Sequence, residues 1–86
     1  MTAAMPVRVM VQDAWDQVLL QLPASTPVSE LKRQALRRTH VEGDPADYVV
    51  KFRGAELLDE NRTLDDAGVV GNAQLIVLPR RRQPVR

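Results

Sequence analysis

Apolar residues alternate with polar ones near both ends of the chain and fall at helical spacing in between. Val7, Val9 and Val11 interleave with Arg8, Met10 and Gln12, a period of two that predicts a strand. Val18, Leu20 and Leu22 repeat the pattern, with Gln17, Leu19 and Gln21 on the other face. The link between them, Asp13-Ala14-Trp15-Asp16, has hairpin length, so the two strands are expected to pair antiparallel. Pro23-Ala24-Ser25 then breaks the second strand. Thr26-Pro27 reads as a helix start, with a hydroxyl N-cap before a proline at the first helical position, where its missing N–H is harmless. Val28, Leu31 and Ala35 recur at i, i+3 and i+7 with Leu36 beside them, forming one apolar stripe. Lys32, Arg33, Gln34 and Arg37 are read as the solvated remainder. Glu30 near the start and Arg37, Arg38 and His40 near the end suit the helix dipole, and Gly43-Asp44-Pro45 ends the region.

From Tyr48 to Arg53 the alternation returns, Val50 and Phe52 facing one way and Val49, Lys51 and Arg53 the other. Arg53-Gly54-Ala55 predicts a turn into a brief strand at Glu56–Leu58. Thr63 is placed to cap a one-turn helix, Leu64–Ala67, which Gly68 closes in the left-handed conformation. Gly71-Asn72 turns the chain into a last strand, Gln74–Leu78, whose ladder Pro79 stops because it has no N–H. The order ββαββ, with a small helix before the last strand, predicts an α+β protein of the β-grasp type, one curved mixed sheet packed on one helix. The expected core is Val9, Val11, Val18, Leu20, Leu31, Ala35, Val50, Phe52, Leu57, Leu64, Val69, Leu75 and Val77. An N-terminal extension (1–6), the domain (7–79) and a basic, mobile tail (80–86) complete the expected organisation.

Composition narrows the function more than the fold. With 86 residues there is room for one core and not for a deep catalytic cleft. A formal net charge of +1 gives no strong global field for nucleic acid or membrane. There is no cysteine, which excludes disulfides and thiolate chemistry, and the lone His40 leaves no imidazole cluster for zinc. No cofactor or metal is expected. No apolar run approaches the roughly 20 residues of a membrane span, and the N-terminus lacks the pattern of a signal peptide, so a cytoplasmic protein is the expectation. The adjacent carboxylates Asp65-Asp66 are an ordinary dipole-matched pair in a first turn, and His40 suits the orphan carbonyls of a helix end. No nucleophile–base pair or phosphate loop is present, and the chain is not read as an enzyme.

At Phe52-x-Gly54, Leu57, Asp59, Asn61-Arg62-Thr63-Leu64, Val69 and Leu75-x-Val77-Leu78-x-Arg80 the chain resembles the ubiquitin family. Thr26–Lys32 resembles that family's helix start. The arginine-rich composition and the Asp66-Ala67-Gly68-Val69 corner are most similar to the bacterial YukD-like ubiquitin-like proteins. That resemblance implies a small accessory factor encoded near type VII secretion or ubiquitin-like gene clusters. Modifiers and sulfur carriers of the family need a C-terminal glycine, whereas Gly71 is the last glycine here and the chain ends Gln83-Pro84-Val85-Arg86. Conjugation by the usual route is therefore not expected. A covalent modifier with an atypical C-terminus, served by dedicated activating and conjugating enzymes, is the alternative reading.

In ubiquitin an isoleucine centres the apolar partner patch on the outer sheet face, and Lys51 stands at that position here. Val49, Ile76 and Leu78 nonetheless make this face more apolar than solvation requires, and Trp15 at the hairpin tip either borders them or folds down over the hairpin as packing. These five residues are the expected docking site for a partner protein, a second copy of the chain included. Arg80, Arg81, Arg82 and Arg86 are a basic stretch without interleaved aromatics, so specific nucleic-acid binding is not expected.

Overall fold

The computed structural model describes residues 4–80. Five strands form one sheet: β1 (Ala4–Val11), β2 (Asp16–Pro23), β3 (Tyr48–Phe52), β4 (Ala55–Glu56) and β5 (Ala73–Pro79). Among the described residues there is one α-helix, α1 (Val28–Arg38), which lies between β2 and β3 in sequence. The strand order is β2-β1-β5-β3-β4. β1 pairs antiparallel with β2 and parallel with β5, so the sheet is mixed. A parallel neighbour requires a long crossover, which α1 and the segment after β4 supply. This is the expected β-grasp architecture, with the helix packed against β1, β2 and β3.

The inner face of the sheet is supplied by the strand period. Val7, Val9 and Val11 of β1, Leu20 and Leu22 of β2, Val50 of β3, and Leu75 and Val77 of β5 are all buried. α1 adds Val28, Leu31, Ala35 and Leu36, and the connection before β5 adds Leu64 and Val69. Fully burying a side chain of this kind contributes about 1.5–3 kcal/mol before conformational entropy is charged against it. Val18, Phe52 and Leu57 lie at the margin, partly buried and packed against the cluster.

Four local expectations change. Thr26 is not the N-cap: Pro27 holds that position, and no side chain caps the helix. The main chain of Thr26 is engaged otherwise, its N–H donating to Pro23 O at 3.0 Å and its carbonyl accepting from Leu64 N at 2.8 Å. The first free N–H groups of α1 find tertiary acceptors instead, Val28 N on Arg62 O at 2.9 Å and Ser29 N on Glu60 O at 3.0 Å. Lys32 is not on the solvated side of α1 but buried.

The segment Leu64–Ala67 is a hydrogen-bonded turn rather than a helix, although Thr63 Oγ1 does accept from Asp66 N at 3.1 Å and Gly68 is left-handed at φ 83°. The strand after the tight turn is Ala55–Glu56, not Glu56–Leu58. Arg53 and Gly54 have φ of 57° and 80°, the two positive values of a two-residue hairpin turn. No helix among the described residues is long and apolar enough to cross a membrane.

Candidate docking face

The outer face of the sheet turns away from α1, and the strand registers decide what lies side by side on it. Ile76 of β5 is opposite Met10 of β1 and Lys51 of β3. One step along, Leu78 is opposite Val49. Ile76 is 43% exposed, while Met10, Lys51 and Leu78 are half-buried. The sheet therefore carries an aliphatic strip at its centre, where a wholly solvated face would be polar.

Val49 behaves differently from the expectation that grouped it with Ile76. It points to the outer face but is only 6% exposed, and it takes no part in the main core. It lies in a shallow depression lined also by Trp15, Lys51, Leu78 and Arg80, with Asp13 and Glu56 at its sides. Val49 thus offers a floor rather than accessible surface. The charges around it are mixed, Lys51 and Arg80 against Asp13 and Glu56, and Lys51 faces Glu56 directly across the β3–β4 pair.

Trp15 sits on the rim and is 80% exposed. It follows a single 3-10 turn (Gln12–Ala14) and is held in the left-handed conformation at φ 51°, its N–H donating to Gln12 O at 3.1 Å. A non-glycine residue there costs about 1–2 kcal/mol. The hairpin tip is fixed from the side: the Tyr48 hydroxyl donates to Asp13 Oδ2 at 2.7 Å, joining the tip to the start of β3. That hydrogen bond, then burial, then the negative charges of Asp13 and Asp47, raise the Tyr48 phenol above its ordinary value of 10.0. Gly43 leaves room for the ring, since a Cβ there would stand 2.8 Å from Tyr48 Cε1.

Arg80 is not the first residue of a free tail. Its N–H donates to Asp47 O at 2.7 Å and its Nε to Ala46 O at 3.2 Å. Arg81, Arg82 and Arg86 lie outside the described residues. The structure thus brings Trp15, Val49, Lys51, Leu78 and Arg80 around one depression and sets Ile76 next to it. Three further exposed aliphatics, Leu19, Leu58 and Val70, were not singled out by sequence. For Leu19 the signal was present, since it breaks the outward polar run of Gln17 and Gln21.

No family model matches the sequence, and comparison with curated proteins finds no match either. Solved structures do match. The ubiquitin-like domain of an Arabidopsis thaliana protein is 18% identical, with a TM-score of 0.75 over 98% of this chain and 85% of that one. An N-terminal ubiquitin-like domain solved in solution is 20% identical, with a TM-score of 0.75 over 100% of this chain and 84% of that one. Ubiquitin from Caldiarchaeum subterraneum is 15% identical, with a TM-score of 0.76 over 94% of this chain and 99% of that one. At such identities the likeness is one of architecture: the chain has the ubiquitin-like β-grasp fold.

Proposed function

We propose that the protein is a non-enzymatic interaction module that docks a partner protein on the outer face of its sheet. The observation that carries this is the exposure of Ile76 at the centre of that face, with Met10 and Leu78 half-buried around it and Trp15 standing clear on the rim. Aliphatic and tryptophan side chains grouped in this way favour an apolar partner segment. Lys51 and Arg80 against Asp13 and Glu56 supply the polar rim. Domains of this architecture commonly work through protein contacts, which supports the reading. The sequence resemblance to YukD-like proteins supports, within it, an accessory role beside type VII secretion or a ubiquitin-like gene cluster.

The test is affinity capture with the wild-type chain and with Ile76→Asp and Trp15→Ala. A protein retained by the wild type and lost from both variants, with unfolding midpoints unchanged, supports the reading. Capture that is indifferent to both substitutions removes it.

A further inference from the structure

Strand β2 forms one edge of the sheet. The opposite edge, β4, has two residues, whereas β2 has eight. An edge of that length leaves a row of N–H and C=O groups without a strand partner, which proteins ordinarily guard with lysines, prolines, bulges or a covering segment. From Gln17 to Leu22 this strand carries no charge and no proline. Its register against β1 runs without a bulge from Ala4↔Pro23 to Val11↔Asp16. Among the described residues, no hydrogen bond from one main-chain group to another outside the strand ladders reaches Gln17 to Leu22.

The orientation of the free groups follows from one contact. Gln17 N–H donates to the Asp16 carboxylate at 2.8 Å, so it is turned away from β1. In an antiparallel ladder, successive residues alternate between bonding the neighbour and facing away from it. Leu19 and Gln21 therefore present N–H and C=O at the open edge along with Gln17, while Val18, Leu20 and Leu22 bond to β1. Leu19 is also 54% exposed on the outer face.

We propose that two copies of the chain pair antiparallel through this edge, about a two-fold axis beside Leu19. In that register Leu19 meets Leu19 of the second copy, Gln17 meets Gln21, and Val18 meets Leu20. Asp16, the strand's single charge, faces Leu22, so like charges are not opposed. With the Asp16–Gln17 contact kept, Leu19 and Gln21 of both copies form about four main-chain hydrogen bonds. Centring the axis on Val18 or Leu20 instead sets Leu19 against a glutamine and runs the ladder into left-handed Trp15 or into Pro23, which has no N–H. The pairing is isologous and closes at two copies. The two sheets become one continuous sheet with both helices on the same side, and both outer faces stay open. The inference does not rest on the docking face proposed above.

Sedimentation velocity and NMR on the full chain, over a series from tens of micromolar to millimolar, test it. The wild type is expected to move from the mass of one chain towards twice that mass, with shifts confined to β2 and its hairpin. Leu19→Lys opposes two ammonium groups at the axis. Gln21→Pro removes an edge donor that β1 does not use, a place where proline is tolerated. Both are expected to remain monomeric at every concentration. Ile76→Asp is expected to dimerise like the wild type. A wild type monomeric throughout, or a dimer that survives Leu19→Lys and is lost in Ile76→Asp, overturns the edge assignment. If Gln21→Pro fails to fold, Leu19→Lys decides alone.

Discussion

Lys32 holds its ammonium group against the Glu60 carboxylate, Nζ to Oε1 at 2.7 Å, with only 3% of its side chain exposed. The same nitrogen donates to Tyr48 O at 3.0 Å. One lysine thereby ties α1 to the start of β3 and to the corner whose carbonyls cap the helix. Removing one partner of a buried pair leaves the other charge uncompensated, a cost of about 3–5 kcal/mol when burial is complete. Glu60 is 22% exposed, so water reaches the site and the cost is smaller. Glu60→Ala is expected to destabilise by about 2 kcal/mol, and Lys32→Met, which removes the buried charge itself, by about 1 kcal/mol. Urea unfolding at neutral pH checks the order, with Glu60→Ala expected to be the more damaging.

The Tyr48–Asp13 hydrogen bond makes stability sensitive to alkali. The folded phenol holds its proton more tightly than an unfolded tyrosine, whose ordinary value is 10.0. Above that value the unfolded chain binds fewer protons than the folded one, so stability falls as pH rises. The contribution is complete below pH 10.0 and is lost as pH climbs through the raised folded value. Tyr48→Phe is expected to cost about 1 kcal/mol at neutral pH and to flatten this alkaline limb. Thermal unfolding across the alkaline range measures both effects. An alkaline limb unchanged in Tyr48→Phe would assign it to other groups.

The hairpin turn before β4 isolates a backbone effect. Gly54 has φ 80°, and an added Cβ would meet nothing within 4 Å. Gly54→Ala therefore tests conformation without collision, and a cost of about 1–2 kcal/mol is expected for forcing a side chain into the left-handed region. Calorimetry should show a lowered melting temperature with Trp15 fluorescence unchanged, because the turn and the hairpin tip lie on different strands.

Much of the frame was legible because it rests on periodicity. The alternation at Val7–Val11 and the stripe of Val28, Leu31 and Ala35 report local geometry, and those residues are buried. The departures occur where long-range contacts decide. Lys32 resembles a surface lysine until the corner at Glu60 folds over it. Thr26 is a good N-cap by sequence, but its main chain bonds Pro23 and Leu64, and the helix is capped by the carbonyls of Glu60 and Arg62. Val49 follows the outward period, yet neighbours around the depression bury it, which pattern alone does not encode. Arg80 belongs to a basic run in sequence but is held by the carbonyls of Ala46 and Asp47. Ile76 was legible as an outward apolar residue because it alternates with Leu75 and Val77, whereas the hairpin pattern left Trp15 open between the rim and packing over the hairpin.

Site-specific photocrosslinking shows directly whether a partner docks on the outer face of the sheet. A photoreactive residue is placed at Trp15 or Ile76 on the outer face, and at Arg33 or Arg37 on the exposed side of α1. Each full-length protein is irradiated in an extract of its source. One protein, the same for both, is expected to be linked through positions 15 and 76 and not through 33 or 37. Crosslinks through the helix positions, with none from the sheet, would contradict docking on that face.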